Sequence, residues 1–117
     1  MLARGDQAFV LLNTFPYNPG HLMVAPIRHV SDLESLAPQE LADIGRLLQR
    51  SVGALRESMA PDGYNVGMNL GRVAGAGIPG HLHWHVVPRW NGDTNFMSVV
   101  GEVRVLPESL GQTWAKH

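Results

Sequence analysis

The 117-residue chain contains no cysteine, which excludes disulfides, thiol-rich zinc sites and a cysteine nucleophile. That absence fits a reducing, cytoplasmic compartment. Charge is also sparse: Asp, Glu, Lys and Arg make up 16% of the residues, against roughly 25% in ordinary soluble domains. Net charge is −1 with histidines neutral. There is no basic stripe able to neutralise many phosphates at once, so no nucleic-acid polymer is expected as a partner. No apolar run approaches the ~18 residues of a membrane helix. The start, MLARGD, lacks the basic-then-apolar build of a secretory signal. The expectation is a soluble, cytoplasmic protein without membrane contact. Any anionic ligand must be small and held by a few placed groups.

What is present is enough for one core: 44% hydrophobic residues at a common single-domain length. A single domain over 1–117 is expected. Residues 7–13 (QAFVLLN) suit a buried strand. Residues 14–20 (TFPYNPG) carry turn residues, and 21–26 (HLMVAP) predict a second strand, antiparallel to the first. Ser31 followed by Glu34 resembles a helix start with a serine cap, and Pro38 opens the main helix. Leu41, Ile44, Leu47, Leu48, Val52 and Leu55 recur at helical spacing, one apolar face that ends near Met59. Residues 64–69 predict a third strand. Residues 71–80 hold four glycines and a proline and exclude regular structure. Residues 81–88 (HLHWHVVP) alternate as a fourth strand. Short strands over 96–100 and 102–105, and a helix start from 107, complete the reading. The order β-β-α-β-β implies an α+β domain with an antiparallel sheet.

Three of the six histidines stand at alternate positions, His81, His83 and His85. In a strand they share one face, with Leu82, Trp84 and Val86 on the other. Four readings compete. A solvated face could carry histidine by chance. A zinc site is possible for a His-x-His pair, but steps of about 6.6 Å along a strand suit poorly three bonds of about 2 Å to one ion. A pH-sensing cluster has no other support in the chain. The fourth is covalent catalysis: a neutral imidazole attacks phosphorus and splits one difficult displacement into two easier ones. The glycine-rich approach over 71–80 favours this reading, because its backbone N–H groups can cradle an anion. No P-loop lysine is present.

The segment His81-Leu82-His83-Trp84-His85-Val86-Val87 resembles the signature of the histidine triad family, in which three histidines alternate with apolar residues. Pro19-Gly20-His21-Leu22-Met23-Val24 resembles that family's second signature. Residues 89–96 resemble the segment that follows the triad in bacterial members related to diadenosine polyphosphate hydrolases and phosphorylases. The resemblance spans residues 9–107. It implies an α+β fold of antiparallel sheet and central helices, usually a homodimer, acting on a nucleotide substrate. By position, His83 is the nucleophile, His85 contacts phosphate oxygens, His81 orients His83, and His21 supports the triad from beneath. Asn13 falls where the ribose hydroxyls are held and Leu11 where an apolar residue packs on the base. Asn69, Gly75, Ala76 and Gly77 fall where members hold phosphate. His29, Trp90 and His117 are expected outside the site.

Two departures stand out. The cysteine-containing zinc site of many members is absent, so no structural metal is expected. No tightly bound cofactor is expected either, with Mg2+ entering only alongside the nucleotide. Second, Gly77 replaces the glutamine, serine or threonine that often precedes the triad by four residues, which leaves water and phosphate open as acceptors. The resemblance thus implies cleavage at the α-phosphate of a dinucleoside polyphosphate through a nucleotidyl-histidine. A nucleoside phosphoramidate hydrolase and a low-turnover nucleotide-binding module are the alternatives.

Overall fold

The computed structural model describes residues 2–13, 20–71 and 81–92. Five strands form one antiparallel sheet: β1 (Ala3–Arg4), β2 (Ala8–Leu12), β3 (Leu22–Pro26), β4 (Gly63–Met68) and β5 (Trp84–Arg89). Their spatial order is β1-β2-β3-β5-β4. One long helix, α1 (Pro38–Met59), packs on one face. This is the α+β architecture that the alternation of elements implied.

Register decides what each face carries. Leu11 pairs with Met23, Met23 with His85, and Gly67 with His85, so these residues form one row across β2, β3, β5 and β4. Side chains alternate between faces along each strand. Even-numbered Ala8, Val10, Leu22, Val24 and Val86 therefore point to α1, where they join Ile44, Leu47 and Leu55 in the core. Odd-numbered Leu11, Met23 and His85 point to the helix-free face. Leu82 lies before β5, yet it belongs to the same core. The apolar alternation thus continues beyond the hydrogen-bonded strand and keeps His81 and His83 off the helix side.

The inner face of α1 differs in part from the sequence expectation. Leu41 is 46% exposed, while Glu40 and Asp43 are buried. Each carboxylate arrives with its donors, as burial of charge requires. Glu40 accepts from the Ala37 N–H at 2.8 Å and from Arg28 at 2.9 and 3.0 Å. Asp43 accepts from the Gln7 N–H at 2.7 Å and from Arg46 at 2.9 Å, which ties the helix to the start of β2. The helix stops at Ala60, whose φ of 47° is left-handed and whose N–H returns to the Arg56 carbonyl.

Three expectations need correction. Ser31 does not cap a helix: a short 3-10 helix occupies Leu33–Ser35, with Asp32 before it and no side-chain cap. Leu36 and Ala37 are then extended, and at Ala37 the following Pro38 disfavours the helical region. The fourth strand begins at Trp84, not at His81. The Leu82 N–H donates to the Val30 carbonyl at 2.8 Å, and the His81 carbonyl accepts from the His83 ring at 3.1 Å. Both groups are drawn out of the sheet ladder. Finally, β1 was not anticipated. Its signal was Gly5-Asp6 ahead of an apolar run, and the Gly5 N–H does close the turn onto the Ala8 carbonyl at 2.8 Å. The turn over 14–19, residues 72–80 with Gly75, Ala76 and Gly77, and the elements expected after 92 lie outside the described residues.

Candidate active site

The site forms on the helix-free face, where β3 and β5 lie side by side. Gly20 starts it. Its φ is +82°, and a Cβ there would meet Met59 Sδ at 2.7 Å and Pro88 Cγ at 3.1 Å. Only glycine meets both demands, left-handed backbone and close approach. The turn delivers His21 into the sheet, where its exposure is 1%.

His21 lies between two partners. Its Nδ1 is 2.8 Å from Asn13 Nδ2, and its Nε2 is 2.8 Å from His85 Nδ1. The Asn13 N–H also donates to the His21 carbonyl at 2.8 Å. Burial, reinforced by nearby His83, pushes the His21 pKa down to about 4, so the ring is neutral at physiological pH.

His83 comes next. Its ring centroid is 5.0 Å from that of His85, edge-on at 73°. Its Nδ1 stands 3.1 Å from the His81 carbonyl. A carbonyl oxygen only accepts, so Nδ1 of His83 carries the proton and Nε2 of the neutral ring holds the lone pair. Burial lowers the His83 pKa, opposed by this hydrogen bond and assisted by the charge of His81. Among the described residues, Nε2 has no hydrogen-bond partner. This is the protonation state a nitrogen nucleophile needs.

His81 makes its contacts away from the His21 and His85 rings. Its Nε2–H donates to the Pro26 carbonyl at 2.8 Å, and its ring lies 5.3 Å from that of His29. It anchors the approach to β5 on the end of β3. His29, which sequence reasoning set aside, is therefore exposed but adjacent to the triad. No spacing signal could have found it, because the contact crosses 52 residues of chain (81 minus 29). Leu11 and Asn13 share the helix-free face with His85 and His21. Asn69 is buried directly after β4, and the last ladder pair, Met68 with Trp84, makes Asn69 and His83 the next residues at that end. Gly75, Ala76 and Gly77 lie outside the described residues.

A HIT domain family model matches residues 1–92. The AP-4-A phosphorylase of Mycobacterium tuberculosis is 46% identical over 113 residues, covering 97% of this chain and 58% of that protein. The chain thus spans a little over half the length of that relative. The asymmetrical bis(5'-nucleosyl)-tetraphosphatase of Schizosaccharomyces pombe is 35% identical over 86 residues, covering 74% of this chain and 46% of that protein. Among solved structures, a Zn-bound histidine triad family protein from Mycobacterium smegmatis superposes with a TM-score of 0.67 at 35% identity, covering 78% of this chain and 66% of that one. Among the described residues here, no three His, Cys, Asp or Glu side chains are placed to hold a metal ion. The ordered histidines, the sheet that carries them and the match over most of the chain agree: the chain belongs to the HIT domain family.

Proposed function

We propose that the chain transfers a nucleotidyl group from a dinucleoside polyphosphate of the diadenosine tetraphosphate type, through a covalent intermediate on His83. The observation that carries this reading is the His83 ring, buried and neutral, with its Nδ1–H on the His81 carbonyl and its lone pair on Nε2. Nε2 attacks the α-phosphorus. A P–N bond forms as the P–O bond to the remaining polyphosphate breaks, and that oxygen leaves with the electron pair. The ring becomes cationic, and its Nδ1–H bond to the His81 carbonyl strengthens accordingly. An oxygen nucleophile then attacks the same phosphorus, the P–N bond breaks, and the pair returns to Nε2.

His85 contacts the phosphate oxygens and offsets developing charge. Leu11 packs on the base, and Asn13 lies beside the ribose. Asn69, Gly75, Ala76 and Gly77 serve the phosphates, with Mg2+ accompanying the nucleotide and no resident cofactor. The 46% identity to a protein named AP-4-A phosphorylase supports inorganic phosphate as the acceptor. Water is the second reading, supported by the relative named tetraphosphatase.

The test is product analysis of diadenosine tetraphosphate incubated with the chain, with and without inorganic phosphate. ADP and ATP formed only with phosphate support phosphorolysis. AMP and ATP indicate hydrolysis. No product from this substrate or from an adenosine phosphoramidate overturns the enzymatic reading in favour of a binding module.

Two further elements belong to the proposal. β4 stands at the edge of the described sheet, and Val66 on it is 45% exposed. An open edge with an apolar side chain suits pairing with a second copy, as a homodimer. No described helix is long and apolar enough to cross a membrane, and action on a soluble nucleotide suits the cytoplasm.

A further inference from the structure

The contact between Asn13 and His21 has a direction. A side-chain amide nitrogen only donates, so Asn13 Nδ2 donates to His21 Nδ1 across their 2.8 Å. The neutral His21 ring has one proton, and with Nδ1 accepting, that proton is on Nε2. His21 Nε2–H therefore donates to His85 Nδ1, also at 2.8 Å. With its Nδ1 accepting, His85 carries its own proton on Nε2, at the far side of the ring from His21. We infer that Asn13 is a positioning residue, whose amide sets the proton order of the His21–His85 pair so that His85 offers an N–H, not a lone pair, to phosphate oxygens. The inference rests on the nucleotidyl-transfer reading given above.

The opposite order shows why the donor matters. An acceptor at position 13 would hold a proton on His21 Nδ1 and reverse both hydrogen bonds. His85 Nε2 would then face anionic oxygens with a lone pair, leaving two acceptors with no proton between them. Backbone geometry keeps Asn13 in place for this role. Its N–H donates to the His21 carbonyl, so side chain and main chain of the same residue grip His21 on both sides. The buried His21 ring has little freedom to reorient.

The discriminating variant is Asn13→Asp, which has the same shape but only accepts. Asn13→Leu removes the donor without adding charge and serves as a second variant. Position 13 is half-buried at a strand end, where both variants should fold. In the 15N-labelled full chain, long-range proton–nitrogen correlations of the imidazole rings report which nitrogen is protonated. The expected result is Nε2–H on His21 and His85 in the wild type, and Nδ1–H on His21 in Asn13→Asp. With diadenosine tetraphosphate, kcat of Asn13→Asp should fall roughly a hundredfold, while KM changes less than about threefold. Asn13→Leu should lose less of kcat than the Asp variant does. A proton on His21 Nδ1 in the wild type would overturn the inference, as would an unchanged His21 tautomer in Asn13→Asp. A loss confined to KM would overturn it too, leaving Asn13 as a ribose contact alone. The tautomers are read without turnover. If they follow expectation but the wild type cleaves no dinucleotide, the proton order stands and the functional reading falls.

Discussion

His21 Nε2 lies 2.8 Å from His85 Nδ1, although 64 residues separate them in sequence. One hydrogen bond thus ties the start of β3 to the last histidine of the triad. It works in concert with the Met23–His85 ladder pair, which brings the two strands to the right spacing. The bond is buried, so its loss leaves those two ring nitrogens unsatisfied, at a cost of about 1–3 kcal/mol.

The first prediction concerns His83. His83→Ala should reduce nucleotidyl transfer by more than about a thousandfold, since no neighbouring group replaces a covalent nucleophile. Nucleotide binding, read by calorimetry with a non-cleavable dinucleotide, should persist. Retained turnover in His83→Ala would show that the attacking nitrogen has been misassigned.

The second concerns pH and activity. Protonation of His83 destroys its nucleophilic lone pair, and burial lowers its pKa below the usual 6.5. The acid limb of kcat/KM should therefore fall below pH 6.5, with activity maintained from there to neutrality. A limb centred above 6.5 would contradict the buried, neutral ring.

A related sign applies to stability. Burial brings the His21 pKa down to about 4 in the folded chain, against 6.5 for an ordinary histidine. Between these values the unfolded chain binds more protons, so stability rises with pH. Its contribution is complete above about pH 6.5 and is lost as pH falls toward 4, amounting to about 3 kcal/mol. Urea denaturation midpoints across pH 4 to 7 check this, and His21→Asn should flatten the dependence.

Two glycines carry steric predictions. Gly5→Ala would bring a Cβ against the Asp43 carboxylate, which must then shift away from the Gln7 N–H it accepts from. The expected loss is about 1–3 kcal/mol. Gly20→Ala combines left-handed strain with contacts to Met59 and Pro88, and should cost about 1–2 kcal/mol for the backbone alone. The converse holds at Ala60, with its φ of 47°: Ala60→Gly should be stabilising or neutral, by up to about 1 kcal/mol. Thermal or chemical denaturation measures all three.

The dimer proposal is tested at the sheet edge. Val66→Lys places a charge on exposed β4 and should shift the sedimentation coefficient from dimer to monomer, with the fold retained by circular dichroism. An unchanged oligomeric state would exclude this edge from the interface.

Much was determined by the sequence alone. Periodicity located α1 from Pro38 to Met59 and most strands to within a few residues, because local spacing of apolar side chains records which face is buried. The alternation of His81, His83 and His85 with Leu82, Trp84 and Val86 placed the histidines on one side, and the two signatures gave the family. Other features needed the tertiary structure. Leu41 has the right spacing but lies outside, while Glu40 and Asp43 are inside, because their donors come from Arg28, Ala37, Gln7 and Arg46. Spacing cannot reveal such partners. The strand's late start at Trp84 follows from two hydrogen bonds made off the ladder. Above all, the proton order through Asn13, His21 and His85 depends on distances of 2.8 Å between residues on three strands or their ends. Residue types supply the donors and acceptors, and only folding decides which atom faces which.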